Sequence, residues 1–427
     1  VLELSVLRSL LTGMPLDRVN ASIASFDSLY IRETMKRNIV VPTGKYVSKE
    51  EKIKGGYVRE SVPGIYNYLI ILDFKSLYPS IMRIFNIDPY SYVPDCNGKN
   101  LIKAPNGACF RNENGILPLI LERLYHEREK AIREKDELTK HAIKILMNSL
   151  FGLLANPSCR FFDINMTNAI TYFGQHILKL THEEINKLGY KVIYGDTDSN
   201  FVVSKAKNIK EAEKIGVKIE RHINEFYEKL VKKEYDRKSF LELSYDKCFI
   251  KCLMPKLRGK EAGAKKRYAG LVIKNGKEEI EYTGLEFVRG DWTELSKKYQ
   301  NEILDRVFHE KEVVKFTKKF VDDIKKGKYD KLLIYRKSIR KELKGYTKIT
   351  PPHVKAARKL KNLESNRIEY VITEDGPEPI QNQKHKIDYE HYIEKQIKPI
   401  ANQILGLLGK SFEDVSAKNV HESMVVT

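Results

Sequence analysis

The chain has 427 residues, 42% hydrophobic and 31% charged, with 76 Lys and Arg against 57 Asp and Glu for a net charge of +19. That length exceeds one ordinary domain and suits two or three, and the apolar fraction is enough for packed cores. No run reaches the ~18 apolar residues of a membrane span, and Val1-Leu2-Glu3-Leu4 has neither a basic leader nor a cleavage site, so membrane and secretory roles are not expected. The positive excess is spread along the chain, with runs such as Lys325 to Lys344. It favours a polyanionic partner, nucleic acid first, although a lysine-rich proteome gives the same excess. The missing initiator Met points to a fragment, a processed chain or a trimmed one. Five cysteines are too few for a secreted disulfide framework, and Cys248 with Cys252 lacks the second pair a zinc site needs.

Residues 1 to 48 read as helices ending in a basic connector, with Ser25-Phe26-Asp27 as a cap before Leu29-Tyr30-Ile31. Tyr66 to Phe74 is apolar, β-branched and bounded by Pro63-Gly64, which predicts a buried strand ending in an aspartate. Leu117 to Ala155 alternates charged and apolar residues at helical spacing and predicts a helical hairpin. Lys191 to Asp196 and Ser199 to Ser204 read as two further strands joined through Gly195-Asp196-Thr197-Asp198. Beyond Asp291 the pattern is mostly helical and very basic, closing on a helix from Tyr389 to Leu408. No internal repeat or low-complexity segment is present.

Two carboxylates two residues apart, Asp196 and Asp198, at a hairpin tip repel each other unless a cation sits between them. Asp73, at the end of another apolar strand, supplies a third; adjacent strand ends would unite it with Asp198 from 125 positions away. Hard oxygen ligands in this arrangement suit Mg²⁺, and two such ions can serve an in-line phosphoryl transfer. A plain hairpin turn also accounts for Gly and Asp here, so the weight falls on Asp73. On a helix, Lys144, Asn148 and Phe151 share one face. That face offers a cation, an amide and a ring to a triphosphate and its base, and Arg128 can reach the same phosphates from the facing helix. A solvated charged surface explains Arg128 equally well.

Together these residues resemble the family B (alpha-type) DNA polymerases, most closely the archaeal replicative enzymes. Asp73 to Ser80 is similar to the motif D-x-x-S-L-Y-P-S, Lys144 to Gly152 to K-x₃-N-S-x-Y-G, and Tyr194 to Ser199 to Y-G-D-T-D-S, in the family's order. Weaker likenesses are Lys54-Gly55-Gly56-Tyr57, Thr171 to Gln175, Lys265-Lys266-Arg267-Tyr268, Tyr282 to Trp292 and Pro352-His353-Val354. The resemblance implies an α+β right-hand polymerase with an antiparallel-sheet palm at 49–118 and 158–290. Fingers made of a helical hairpin would occupy 119–157 and a mostly helical thumb 291–427, with 1–48 the tail of an exonuclease domain and its connector.

It also implies roles. Asp73 and Asp198 would bridge two Mg²⁺ ions, with Mn²⁺ able to substitute. Asp196 would lie nearby, and the Phe74 carbonyl would complete a metal site. Tyr78 would be the steric gate against ribonucleotides, with Ser76 and Leu77 beside it in the nucleotide site. Lys144 and Arg128 would grip the triphosphate, Lys144 also protonating the pyrophosphate; Asn148 and Phe151 would line the nascent base pair. Gly55, Gly56, Tyr57 and Thr171 would meet template, and Lys265, Lys266, Arg267 and Tyr268 the primer-template duplex, through contacts that carry little sequence information.

The departures are Phe151 for the family's Tyr, Ile53 for the first Tyr of the template motif, Gln175 for an Arg, and Ile132 for a second Lys. The 16 positions from Arg128 to Lys144 imply a short fingers hairpin. Cys96 and Cys109 bracket a Gly/Asn/Pro-rich loop where some hyperthermophilic relatives carry a palm disulfide. No exonuclease carboxylates fit before residue 49, so no proofreading is expected of this chain. A separate subunit would then carry the front half, or the chain was shortened. Glu422 to Thr427 shows no clamp-binding peptide, which leaves a sliding clamp unsupported. Primer-template DNA and dNTPs are the implied partners, in an archaeal cytoplasm at the nucleoid. The alternatives are a catalytically weak or silent DNA-binding subunit of a split polymerase, which predicts loss of Asp73, Lys144 or Asp198, and an RNA-directed polymerase, which favours adjacent aspartates.

Overall fold

The computed structural model describes residues 2–44, 53–257, 262–347, 350–363 and 365–416. Lys45 to Ser48 of the expected connector and Glu422 to Thr427 lie outside them. The chain forms two compact units, one of residues 1–59, 70–204 and 210–247 and one of 60–69, 205–209 and 248–427.

The first unit opens with α1 (Leu2–Thr12) and α2 (Ser22–Met35). Ser25-Phe26-Asp27 is not a cap: α2 starts three residues earlier, and Ser25 Oγ donates to the Val19 carbonyl at 3.3 Å. The reason is the spacing of Phe26, Leu29 and Tyr30, all buried, which belong to one helical face. Next come β1 (Val58–Arg59), the Ile70–Phe74 end of β2 (Gly64–Phe74) and α3 (Leu77–Ile84). A small sheet of β3 (Tyr92–Val93), β4 (Leu101–Lys103) and β5 (Cys109–Arg111) runs in the order β3-β5-β4. It carries a disulfide between Cys96 and Cys109, with Cα atoms 5.2 Å apart.

The expected helical hairpin is α4 (Ile116–Arg133) and α5 (Glu137–Leu154), which pack on each other. The Asp136 side chain caps α5 by accepting the Thr139 N–H at 2.9 Å. In the same way Asp163 caps the long α6 (Ile164–Lys187), accepting the Met166 N–H at 2.8 Å. The predicted hairpin strands are β6 (Lys191–Asp196) and β7 (Ser199–Val203), followed by α7 (Ile209–Tyr235). Strands β1, β6, β7 and β2 are neighbours in that order, and Ile170, Phe173 and Ile177 of α6 are buried alongside Ile70, Leu72 and Ile193.

In the second unit the Cys248–Met254 end of β8 (Leu243–Met254) pairs antiparallel with β9 (Tyr268–Lys274), and β9 with β10 (Lys277–Thr283). Helices α8 (Glu294–Phe308), α9 (Val314–Lys325) and α10 (Pro352–Arg358) follow. The region beyond Asp291 is less helical than its pattern implies. It contains an antiparallel sheet of β11 (Tyr335–Ser338), β12 (Arg367–Thr373) and β13 (Gly376–Pro379). β12 is apolar and buried from Tyr370 to Thr373; β11 is short and charged, and β13 holds two prolines, so neither announces itself. The closing helix is α11 (Tyr389–Tyr392) running through a π turn at Ile393–Ile397 into α12 (Lys398–Leu405) and a 3₁₀ turn at Gly406–Leu408. Pro399 stands at the start of α12 and has no N–H to continue the ladder, which suits a π turn there. A last turn, α13, spans Glu413–Ser416. Among the described residues no helix is long and apolar enough to cross a membrane.

Candidate active site

The β6–β7 turn is very tight: Asp196 pairs with Ser199, Thr197 is left-handed at φ 60°, and the Asp198 N–H donates to the Asp196 carbonyl at 2.6 Å. The Thr197 N–H donates to the Tyr57 carbonyl at 2.9 Å, tying the turn to the segment before β1. On the other side, the Phe74 N–H donates to the Asp198 carbonyl at 3.0 Å. That one bond sets the end of β2 beside the hairpin tip and brings Asp73 to Asp198. The Asp73 carbonyl is held by Ser244 Oγ at 3.3 Å, and the Lys75 N–H by the Glu242 carbonyl at 2.9 Å.

The electrostatics follow from this crowding. Burial, then the charges of Asp198 and Asp246, push the Asp73 carboxyl up to about 7, with Lys144 opposing them. Negative charge is thus concentrated where the Lys144 ammonium partly offsets it, in a set of oxygen donors. Those residues fit a hard divalent cation. Asp196 is placed differently: it accepts from the Tyr194 hydroxyl at 3.3 Å and from Thr197 Oγ1 at 3.1 Å, so it braces the turn. Asp246 belongs to no motif and lies 48 positions past Asp198; only folding brings it near Asp73.

Ser76 is left-handed at φ 51° and stands just before α3 without a side-chain capping bond, and the first turn of α3 holds buried Leu77 and half-buried Tyr78. The Tyr78 ring lies 4.8 Å from that of Phe151. Burial, then Asp198 and Asp196, push its hydroxyl up to about 12. Two glycines make the room. A Cβ at Gly56 would meet the Tyr78 hydroxyl at 2.8 Å and Thr197 at 3.1 Å, and one at Gly174 would meet the ring at 3.3 Å. On α5, Lys144 and Asn148 are exposed and Phe151 half-buried, opposite buried Ile143, Met147 and Leu150, so the expected shared face exists. Arg128 is partly buried on α4, and its Nε has no hydrogen-bond partner among the described residues.

Gly55 and Gly56 are drawn to α6. Gln175 Nε2 donates to the Gly55 carbonyl at 3.2 Å, and the Lys54 N–H donates to Asn168 Oδ1 at 3.0 Å. Gln175, standing for an expected Arg, is thereby a tether. Ile53, Gly55, Phe151 and Gly152 line one cavity of about 400 Å³. Thr171 is fully buried and donates to the Asn168 carbonyl at 2.9 Å, while the Tyr57 ring carries the Lys179 ammonium 5.7 Å from its centroid. In the second unit, Lys265 and Lys266 are exposed, with Lys265 3.9 Å from Glu60. Tyr268 is half-buried. Arg267 turns inward to buried Glu286, with Gln403 Oε1 at 3.4 Å.

Residues 20–407 match the family described as DNA polymerase family B. The chain is 38% identical to DNA polymerase II of Escherichia coli over 95% of its own length and 53% of that protein's. It is 30% identical to DNA polymerase 2 of Aeropyrum pernix over 94% and 50%. Among solved structures it resembles the family B DNA polymerase of the hyperthermophilic archaeon Pyrobaculum calidifontis, with a TM-score of 0.69 and 28% identity over 94% of this chain and 53% of that one. The chain therefore spans about half the length of the relatives it matches.

Proposed function

The chain belongs to DNA polymerase family B, and from that premise we propose that it adds dNTPs to a primer 3′-hydroxyl under template direction. The observation that carries this reading is the approach of Asp73 and Asp198 through the Phe74–Asp198 backbone bond, with Lys144 acting on the same carboxyl. In this reading α4 and α5 are the fingers, 49–118 and 158–290 the palm, and 291–427 the thumb. Two Mg²⁺ ions, or Mn²⁺, held by Asp73, Asp198 and the Phe74 carbonyl would supply the charge that activates the primer oxygen and stabilises the leaving one.

The protein's own residues do the positioning. Lys144 and Arg128 neutralise the triphosphate, and Lys144 is the proton donor for the departing pyrophosphate. Ser76 and Leu77 present the start of α3 to phosphate. Tyr78, backed by Phe151 and with little free space beside Gly56 and Gly174, presents its ring under the sugar, where a 2′-hydroxyl clashes. Asn148 and Phe151 bound the nascent pair, and Phe151 stacks without offering a hydroxyl. Gly55, Gly56 and Tyr57 meet template, with Asn168 and Gln175 of α6 holding that segment. Lys265, Lys266 and Tyr268 face the duplex backbone, and Arg267 anchors their turn through Glu286.

Primer extension by the native chain with Mg²⁺ and dNTPs, beside Asp198→Ala, tests the proposal. Extension that disappears in the variant is the expected result. Absence of extension by the native chain overturns it and leaves a DNA-binding role.

A further inference from the structure

The register of the hairpin places three residues in one row across three strands: Arg59 on β1, Gly195 on β6 and Asn200 on β7. The next row is Val58, Asp196 and Ser199. The central position of the first row has no side chain, and His182 of α6 fills the gap. A Cβ at Gly195 would lie 2.9 Å from His182 Nε2 and 3.3 Å from the Ser199 carbonyl. An arginine only donates, so the 3.4 Å contact between Arg59 Nη1 and His182 Nδ1 leaves the proton on Nε2, facing Gly195.

This plug is polar where packing alone would favour an apolar one. His182 is 5% exposed and Asn200 0%. His182 Nε2 and both amide atoms of Asn200 make no short, well-aligned hydrogen bond among the described residues, although the Asn200 amide stands beside the imidazole. Burial, and then Arg59, hold the imidazole down at about 4 against the opposing Asn200 side chain, so it is neutral at working pH. Each unsatisfied buried polar group is destabilising, and such groups call for an explanation other than packing.

We propose that His182 is a positioning residue: seated between Arg59 and Asn200 in the gap above Gly195, it fixes the height of the β6–β7 turn and so the separation of Asp198 from Asp73. This rests on the reading of those two carboxylates as metal-bridging. The plug touches backbone one residue from Asp196, so its removal loosens the donor set without removing any donor. Loss of a group bonded directly to a ligand weakens metal affinity about 10- to 100-fold, and His182, one backbone step removed, falls at the lower end of that range.

The test measures Mn²⁺ binding, from the paramagnetic resonance of free ion, to the full chain with a primer-template whose primer ends in a dideoxynucleotide, together with the thermal midpoint. In His182→Leu, Mn²⁺ binding falls about 10-fold while the midpoint stays or rises, since an apolar side chain of similar size removes the poorly bonded Nε2 from the gap. A plug that serves packing alone gives the reverse: a lower midpoint and native binding. Gly195→Ala, which pushes into His182, also weakens binding, and Gly195→Ala with His182→Ala recovers at least half of that loss on a logarithmic scale. Native binding by His182→Leu overturns the proposal; where that variant does not fold, a double variant no better than Gly195→Ala does so. Asp198→Asn is run in parallel: native Mn²⁺ binding there overturns the metal reading itself, and weakened binding there with native binding in His182→Leu overturns the positioning role alone.

Discussion

The space beside Gly56 gives a test of how closely the steric gate proposed for Tyr78 is built. In Gly56→Ala the new methyl would lie 2.8 Å from the Tyr78 hydroxyl and 3.1 Å from two Thr197 atoms, where ordinary contact begins at 3.4 Å. The hydroxyl must therefore retreat by 3.4 − 2.8, or about 0.6 Å. It has little room to do so, because the ring rests on Phe151 at 4.8 Å and faces the bare Cα of Gly174. A displacement of about 1 Å in a positioning group costs up to 10²-fold, so 0.6 Å corresponds to roughly a tenfold loss in kcat/KM for a dNTP. The assay is single-nucleotide incorporation in Gly56→Ala, Tyr78→Phe and the double variant. Removing the hydroxyl removes the larger overlap and leaves the 3.1 Å approach to Thr197, so Gly56→Ala should cost clearly less in the Tyr78→Phe background, a coupling that distant sites do not show. An equal loss in both backgrounds would refute the argument, as would no loss in either.

The remaining predictions concern stability. Replacing Cys96 and Cys109 together by Ser opens a loop of sequence separation 13 and should lower unfolding free energy by about 3 kcal/mol; denaturation with and without reductant checks this, since the native chain alone should respond. Burial would raise the Glu378 carboxyl, but the Lys384 N–H, the His385 side chain and N–H, and Lys359 bring it from 4.5 down to about 2. A depressed carboxyl stabilises above its unfolded value and loses that contribution as pH falls through its folded one. Glu378→Gln should therefore lower stability at neutral pH, with the gap to the native chain closing between pH 4.5 and 2. A gap that is the same at pH 7 and pH 3 contradicts this.

Much of the site was legible because its parts sit where chain pattern changes. Asp73 ends an apolar run, and Asp196 and Asp198 interrupt two others. Lys144, Asn148 and Phe151 keep helical spacing, and the structure bears that face out. What could not be read depends on approach between distant segments. Asp246 has no motif around it, and the gaps filled by Tyr78 and His182 are marked in sequence only by Gly56, Gly174 and Gly195, three glycines among many. Arg267 looked like one more cation of a basic run, yet it is matched by Glu286, whose burial no local pattern reveals. The β11–β13 sheet escaped for a related reason: short strands of charged residues and prolines become strands only through their partner β12.

The central claim is that Asp73 and Asp198 share divalent ions with an incoming nucleotide. Anomalous diffraction from crystals of the chain with a dideoxy-terminated primer-template, a dNTP and Mn²⁺ tests it most directly. The account predicts two Mn²⁺ peaks about 4 Å apart, both touching Asp73 and Asp198, with one reaching the Phe74 carbonyl. A nucleotide bound with no Mn²⁺ between these carboxylates would contradict it.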